Sequence, residues 1–177
     1  MFLYRELNID EANRIKEIDG SCFIKNAWRM NPDTQEYELV EINWKDDELP
    51  NGIGWHVKHM RRTFEGGGTV FGCFDGDTLV GFATLEANPI GSKNQHVVLE
   101  QLYVSNKYRN QGIGKKLVEL CKEQARKMDA TRIRLYAGSS EDTIAFYKNL
   151  GCIPAEERNP IIAENDPNDI QLDLLLD

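Results

Sequence analysis

Residues 97–117, VVLEQLYVSNKYRNQGIGKKL, run from an apolar stretch through a break at Ser105 and Asn106 into a helical pattern opened by Gly112 and Gly114. The order reads as strand, turn, phosphate-binding loop and helix. A side chain at either glycine would hold the backbone away from a ligand. The first amides of a helix lack intrahelical partners and its macrodipole favours anions there, so a diphosphate suits this place. Arg109, Lys115 and Lys116 add positive charge. Two other phosphate motifs fail at named residues: a dinucleotide fingerprint wants a third glycine where Leu117 stands, and a P-loop wants Ser or Thr where Lys116 stands.

The chain around this stretch is regular. Thr69 to Phe74 and Thr78 to Leu85 read as strands paired antiparallel around Asp75-Gly76-Asp77, because Asp-Gly favours the positive φ of a hairpin turn. Asn88 to Gln95 is a loop into the central strand. Ile113, Leu117, Leu120, Cys121, Ala125 and Met128 share one face of the helix after the glycine loop. Arg132 to Ala137 is then a second strand, parallel to the first through a right-handed crossover, which puts the loop at the carboxyl edge of the strands. Ser139 or Ser140 caps a further helix running to Leu150 and stopped by Gly151. Ile153 to Glu156 and Ile170 to Leu175 are the last strands, separated by a Pro-containing loop from Asn159 to Asp169.

Upstream, Phe2 to Glu6 reads as a strand and the following segment as a helix capped by Asp10, with Ala12, Ile15 and Ile18 at helical spacing. Between Ser21 and Gly68 the pattern loosens to a strand from Tyr37 to Trp44 and a helix from Trp55 to Phe64.

With 177 residues, 41% hydrophobic and 28% charged, the chain suits a single domain, residues 1–177. A net charge of −8 argues against a nucleic-acid partner and for a cationic substrate. No stretch approaches membrane-spanning length and no secretory leader is evident, so the expected location is the cytoplasm, with no membrane partner. Cys22, Cys73, Cys121 and Cys152 lie far apart without a Cys-x-x-Cys pair, which reads as free thiols. His56 and His59 share a helix face but lack an evident third ligand, so a packed or solvated pair is favoured and no metal is expected.

Arg109-x-x-Gly112-x-Gly114 directly after Leu102-Tyr103-Val104 resembles the acetyl-CoA-binding motif of the GCN5-related N-acetyltransferase (GNAT) family. Ser140-Glu-Asp-Thr-Ile-Ala-Phe-Tyr147-Lys-Asn-Leu-Gly151 resembles its second hallmark, a helix ending Phe-Tyr-x-x-x-Gly with a polar cap seven positions before the tyrosine. The resemblance implies an α+β fold: a central twisted mixed sheet of about six or seven strands with helices on both faces, its fourth and fifth strands parallel and splayed at the cofactor site. Residues 69–156 would form the acetyl-CoA-binding half and 21–68 the variable acceptor segment. The implied activity is transfer of the acetyl group of acetyl-CoA to a primary amine in a ternary complex.

By position, the backbone of Leu102, Tyr103 and Val104 would pair with the pantetheine arm, and Asn110, Gln111, Gly112, Ile113, Gly114 and Lys115, with Arg109, would hold the pyrophosphate. Ser140 replaces the family's common asparagine, keeping the cap with a shorter side chain. Tyr147 would face the thioester sulfur; a phenol of pKa about 10 can protonate a departing thiolate. Glu100 is the only charged residue between Val97 and Val104 and is the candidate base for the amine. It reads equally as a partner for a loop N–H or an arginine, or as a solvated residue at the start of the strand.

Trp28, Arg29, Trp44 and Trp55 with Glu38, Glu41, Asp46, Asp47 and Glu48 would make an aromatic, acidic acceptor surface, although each also suits local packing. A small cationic acceptor ranks above a protein N-terminus or lysine, and a non-catalytic acetyl-CoA sensor is the other alternative. Dimers are common in the family, and no residue here specifies one.

Overall fold

The computed structural model describes residues 1–177. In chain order its elements are β1 (Leu3–Glu6), a 3-10 segment (Ile9–Glu17), β2 (Cys22–Met30), β3 (Tyr37–Asp46), α1 (Ile53–Glu65), β4 (Thr69–Asp75), β5 (Thr78–Leu85), β6 (His96–Val104), a short 3-10 turn (Asn106–Tyr108), α2 (Ile113–Lys127), β7 (Arg132–Ala137), α3 (Glu141–Asn149), β8 (Ile153–Pro154), α4 (Pro160–Asn165) and β9 (Ile170–Leu175). Backbone contacts divide the chain into two units. One comprises Met1–Cys22, Asp46–Ile133 and Leu176–Asp177; the other comprises Phe23–Lys45 and Arg134–Leu175.

The first unit is an antiparallel sheet in the order β1-β4-β5-β6. Gly76, at φ +57°, supplies the positive dihedral that closes the β4–β5 hairpin, whose last pair is Asp75 with Thr78. Apolar side chains of the sheet, the 3-10 segment and α1 form one core, in which Ile15, Leu49, Met60, Val70, Leu79 and Phe82 are almost wholly buried and Ile53, Val57, Phe64 and Tyr103 pack at the margin. The expected first helix is a 3-10 segment, and its cap is Asn8 rather than Asp10. Asn8 Oδ1 accepts from the Asp10 amide at 3.0 Å while Glu11 Oε2 accepts from the Asn8 amide at 3.1 Å, a reciprocal capping box.

In the second unit, β2 and β3 form a two-stranded ribbon, and β7, β9 and β8 are neighbours in that order. β2 and α4 occupy stretches where the sequence pattern predicts no regular element. Asn159 caps α4 and Pro160 stands at its first turn, where a missing N–H removes nothing from the helix. Arg134 on β7 donates through Nε to Asp173 Oδ1 on β9 at 2.6 Å, with both side chains at most 2% exposed. Removing one member of such a pair strands a buried charge, so Arg134→Met should lower unfolding stability by about 3–5 kcal/mol. The double variant Arg134→Met, Asp173→Leu should recover most of it, as measured by chemical denaturation.

Candidate active site

β6 does not pair evenly with β5. Val104, Tyr103, Leu102 and Gln101 oppose Gly81, Phe82, Ala83 and Thr84, but Leu85 opposes Leu99, leaving Glu100 as the extra residue of a β-bulge. Successive strand residues ordinarily face opposite sides of a sheet. Here both members of the bulge reach the same helix: Glu100 Oε1 lies 2.8 Å from His59 Nδ1, and Gln101 Oε1 lies 2.6 Å from His56 Nδ1. The Thr84 hydroxyl accepts from the Gln101 amide at 3.1 Å, satisfying a donor that the disrupted ladder would otherwise strand.

Around Glu100 the polar contacts continue. Glu86, just past β5, shares a side-chain hydrogen bond with Glu100 and accepts from the Thr63 hydroxyl at 2.5 Å. Burial, and after it the neighbouring Glu100 charge, push the Glu86 carboxyl above its ordinary range, against the Thr63 hydrogen bond and the Arg62 charge. Trp55 stacks on the His59 ring with centroids 3.6 Å apart and planes 17° from parallel. His56 is fully buried, its Nε2 2.7 Å from the Pro50 carbonyl, and its ring meets Tyr103 edge-on. The two histidines are therefore packed rather than solvated, as two pins from α1 onto adjacent residues of β6.

The glycine loop follows β6 directly. The Ser105 amide donates to the Val80 carbonyl, and the Asn106 amide to the Asp19 carbonyl, both at 2.8 Å, which fixes the turn. Asn110 and Gly112 have φ of +60° and +81°. At the start of α2 the Lys116 amide donates to the carbonyl of the cap residue Gly112 at 3.0 Å, so the amides of Ile113, Gly114 and Lys115 have no carbonyl one turn back within the helix. A Cβ built at Gly112 would meet no atom within 4 Å, so the chain leaves space above this backbone. Gly81 lets α2 sit close to the sheet, since a Cβ there would stand 3.1 Å from Ile113 Cγ2. Asn110, Gln111, Lys115 and Lys116 are exposed, whereas Arg109 folds back to donate through Nε to the Val104 carbonyl at 3.0 Å. Leu102, Tyr103 and Val104 are half-buried.

A model of the acetyltransferase (GNAT) family matches residues 27–152 of the chain. The chain belongs to the GNAT family. It is an acyltransferase that uses acetyl-CoA. Similar solved structures include nourseothricin acetyltransferase, with a TM-score of 0.75 and 18% identity over 99% of each chain. A streptothricin acetyltransferase homologue from Bacillus anthracis, solved with acetyl coenzyme A, has a TM-score of 0.72 and 18% identity over 99% of each chain. The Escherichia coli ribosomal-protein-S18-alanine N-acetyltransferase has a TM-score of 0.61 and 16% identity, over 99% of this chain and 94% of that one. No curated protein sequence matches the chain.

The GNAT chain's first unit brings together Glu100, Leu102, Tyr103, Val104 and residues 109–115. Its amide-lined loop, open above Gly112, fits a diphosphate. The second unit carries Ser140 and Tyr147. Ser140 caps α3, accepting from the Thr143 amide at 3.2 Å, and Tyr147 is 9% exposed, its ring meeting Phe146 edge-on. Of the acceptor candidates, Arg29 donates to Ser139 Oγ at 2.6 Å, Glu38 and Glu41 accept from Asn31 and Asn43, and Trp44 is 57% exposed. Burial pushes the thiols of Cys22, Cys73 and Cys121 up, Cys121 to about 12, which disfavours them as nucleophiles. No helix is long and apolar enough to cross a membrane.

Sequence reasoning set His59 aside and passed over Glu86 and Thr84. Trp55 and His59, one helical turn apart, were the local signal for the first. Thr84→Val keeps the shape of a buried side chain but leaves the Gln101 amide without an acceptor. It should lower stability by about 1–3 kcal/mol, read from denaturant midpoints.

Proposed function

We propose that this enzyme transfers the acetyl group of acetyl-CoA to the primary amine of a small cationic molecule by direct attack in a ternary complex. The observation that carries the reading is the carboxylate–imidazole cluster that the β6 bulge turns toward α1. An amine is mostly protonated near neutral pH and must lose a proton to attack. Glu100 and its partners supply that acceptor, and the exposed edge of Trp55 adds an aromatic surface for a cation.

In the same reading, the amides from Asn110 to Lys115 hold the pyrophosphate, with Arg109 fixing the strand end, and the backbone of Leu102, Tyr103 and Val104 pairs with the pantetheine arm. Ser140 keeps the α3 cap. Tyr147, by its place in the family's second motif, donates the proton that the leaving thiolate takes up. The acidic net charge of −8 favours a cationic acceptor over an anionic one.

Thiol release from acetyl-CoA tests this with a panel of spermidine, kanamycin, streptothricin, lysine and a peptide with a free alanine N-terminus. Turnover of a small polycation is the expected result, preference for the peptide would replace the acceptor class, and tight acetyl-CoA binding with turnover of none of these amines would overturn the small-cation reading. Tyr147→Phe should lower kcat about 10²-fold or more while leaving acetyl-CoA affinity near wild type. Gly112→Val should do the reverse: its side chain fills the open space over the amides and strains a left-handed backbone, weakening acetyl-CoA binding at least tenfold, about 1.4 kcal/mol, by calorimetry.

A further inference from the structure

Within the cluster, the hydrogen bonds single out one atom. Glu100 Oε1 is occupied by His59 Nδ1 at 2.8 Å, and the Glu100 carboxyl also bonds Glu86. Two carboxyls share a hydrogen bond only through a proton, and burial favours that proton on Glu86, so Glu100 accepts from both neighbours, the proton between Glu100 and His59 sits on Nδ1, and Nε2 carries the imidazole's lone pair. Trp55, stacked at 3.6 Å, fixes the ring plane, and the His59 side chain retains 16% exposure. We propose that His59 Nε2 is the atom that takes the proton from the acceptor amine, and that Glu100 is the positioning residue that sets the tautomer and balances the imidazolium.

The inference rests on the amine-acetylating reading above. In the step, an N–H bond of the substrate ammonium breaks, its electron pair stays on nitrogen for the attack on the acetyl carbon, and the proton bonds to His59 Nε2. The C–N bond forms, the thioester C–S bond breaks with its pair on sulfur, the thiolate takes the Tyr147 proton, the nitrogen's second proton restores that phenol through water, and the imidazolium releases its proton to water. Carboxylate–imidazole pairs suit this work because a free imidazole titrates near 6.5, about two units above a free carboxylate, and so competes better for an amine proton at neutral pH. The titratable and charged groups on the elements packed here are His56 and Arg62 on α1, Glu100 and Tyr103 on β6, and Glu86 beyond β5. Glu86 acts through Glu100.

Profiles of kcat/KM against pH, measured with the fastest amine of the panel, test the assignment in wild type, His59→Gln and Glu100→Gln. The expected result is an acid limb in wild type that His59→Gln abolishes together with about 10²-fold of rate. Glu100→Gln should lower the rate yet keep a limb, since the imidazole is still present. Added imidazole should restore part of the activity of His59→Ala, which a merely structural role would not allow. A limb that survives in His59→Gln and vanishes in Glu100→Gln would overturn the inference and make Glu100 the base. Failure of every panel amine with wild type would overturn the small-amine reading, and this inference with it. Circular dichroism and acetyl-CoA affinity near wild type in both variants would exclude misfolding as the cause of lost rate.

Discussion

One extra residue in β6 sets the chemistry of the first unit. Without the bulge at Glu100, residues 100 and 101 would face opposite sides of the sheet and only one could reach α1. With it, α1 is pinned twice, by His56 to Gln101 and by His59 to Glu100. The bulge is stabilised from its neighbour strand, where Thr84 accepts the Gln101 amide, and from the helix side, where Thr63 holds Glu86 beside Glu100. Such a cluster is costly to bury unless its members bond one another, and each named carboxylate and imidazole here has such a bond.

The same strand carries the second requirement. Immediately after the bulge, β6 runs in regular register to Val104 and then turns through Ser105 and Asn106, both tied by backbone bonds to Val80 and Asp19. Gly81, opposite Val104, admits Ile113 close to the sheet, so the start of α2 and its unpaired amides are held at the strand end. A rigid strand thus places the proposed proton acceptor a few residues from the proposed cradle for a diphosphate, which is the preorganisation that acyl transfer demands.

What the sequence displays is the local part of this design. The glycine loop, the Asp75-Gly76 turn and the helix stopped by Gly151 declare themselves because each depends on residues within a few positions of one another. Asn8-x-x-Glu11 and Asn159-Pro160 are local signals too, and both were overlooked in favour of Asp10 and a loop. β2 escaped notice because Lys25, Asn26 and Arg29 interrupt its apolar residues in a half-exposed ribbon. The bulge is different in kind. It exists only in the register of β6 against β5, a pairing between residues about fifteen positions apart, so Glu100 is visible as a charged residue in an apolar run while its two partners, on α1 and just past β5, are not. A histidine pair at helical spacing carries no hint of what it faces.

The tautomer of His59 bears on the central claim most directly, since the bulge, the Glu100 hydrogen bond and the bare Nε2 all meet in it. Long-range ¹H–¹⁵N spectra of the free protein, with the resonance assigned through His59→Gln, read it without substrate. The account predicts a proton on Nδ1 and an unprotonated Nε2 at neutral to mildly alkaline pH, and reversal of that preference in Glu100→Gln. A proton resident on Nε2 in the wild-type enzyme would contradict it.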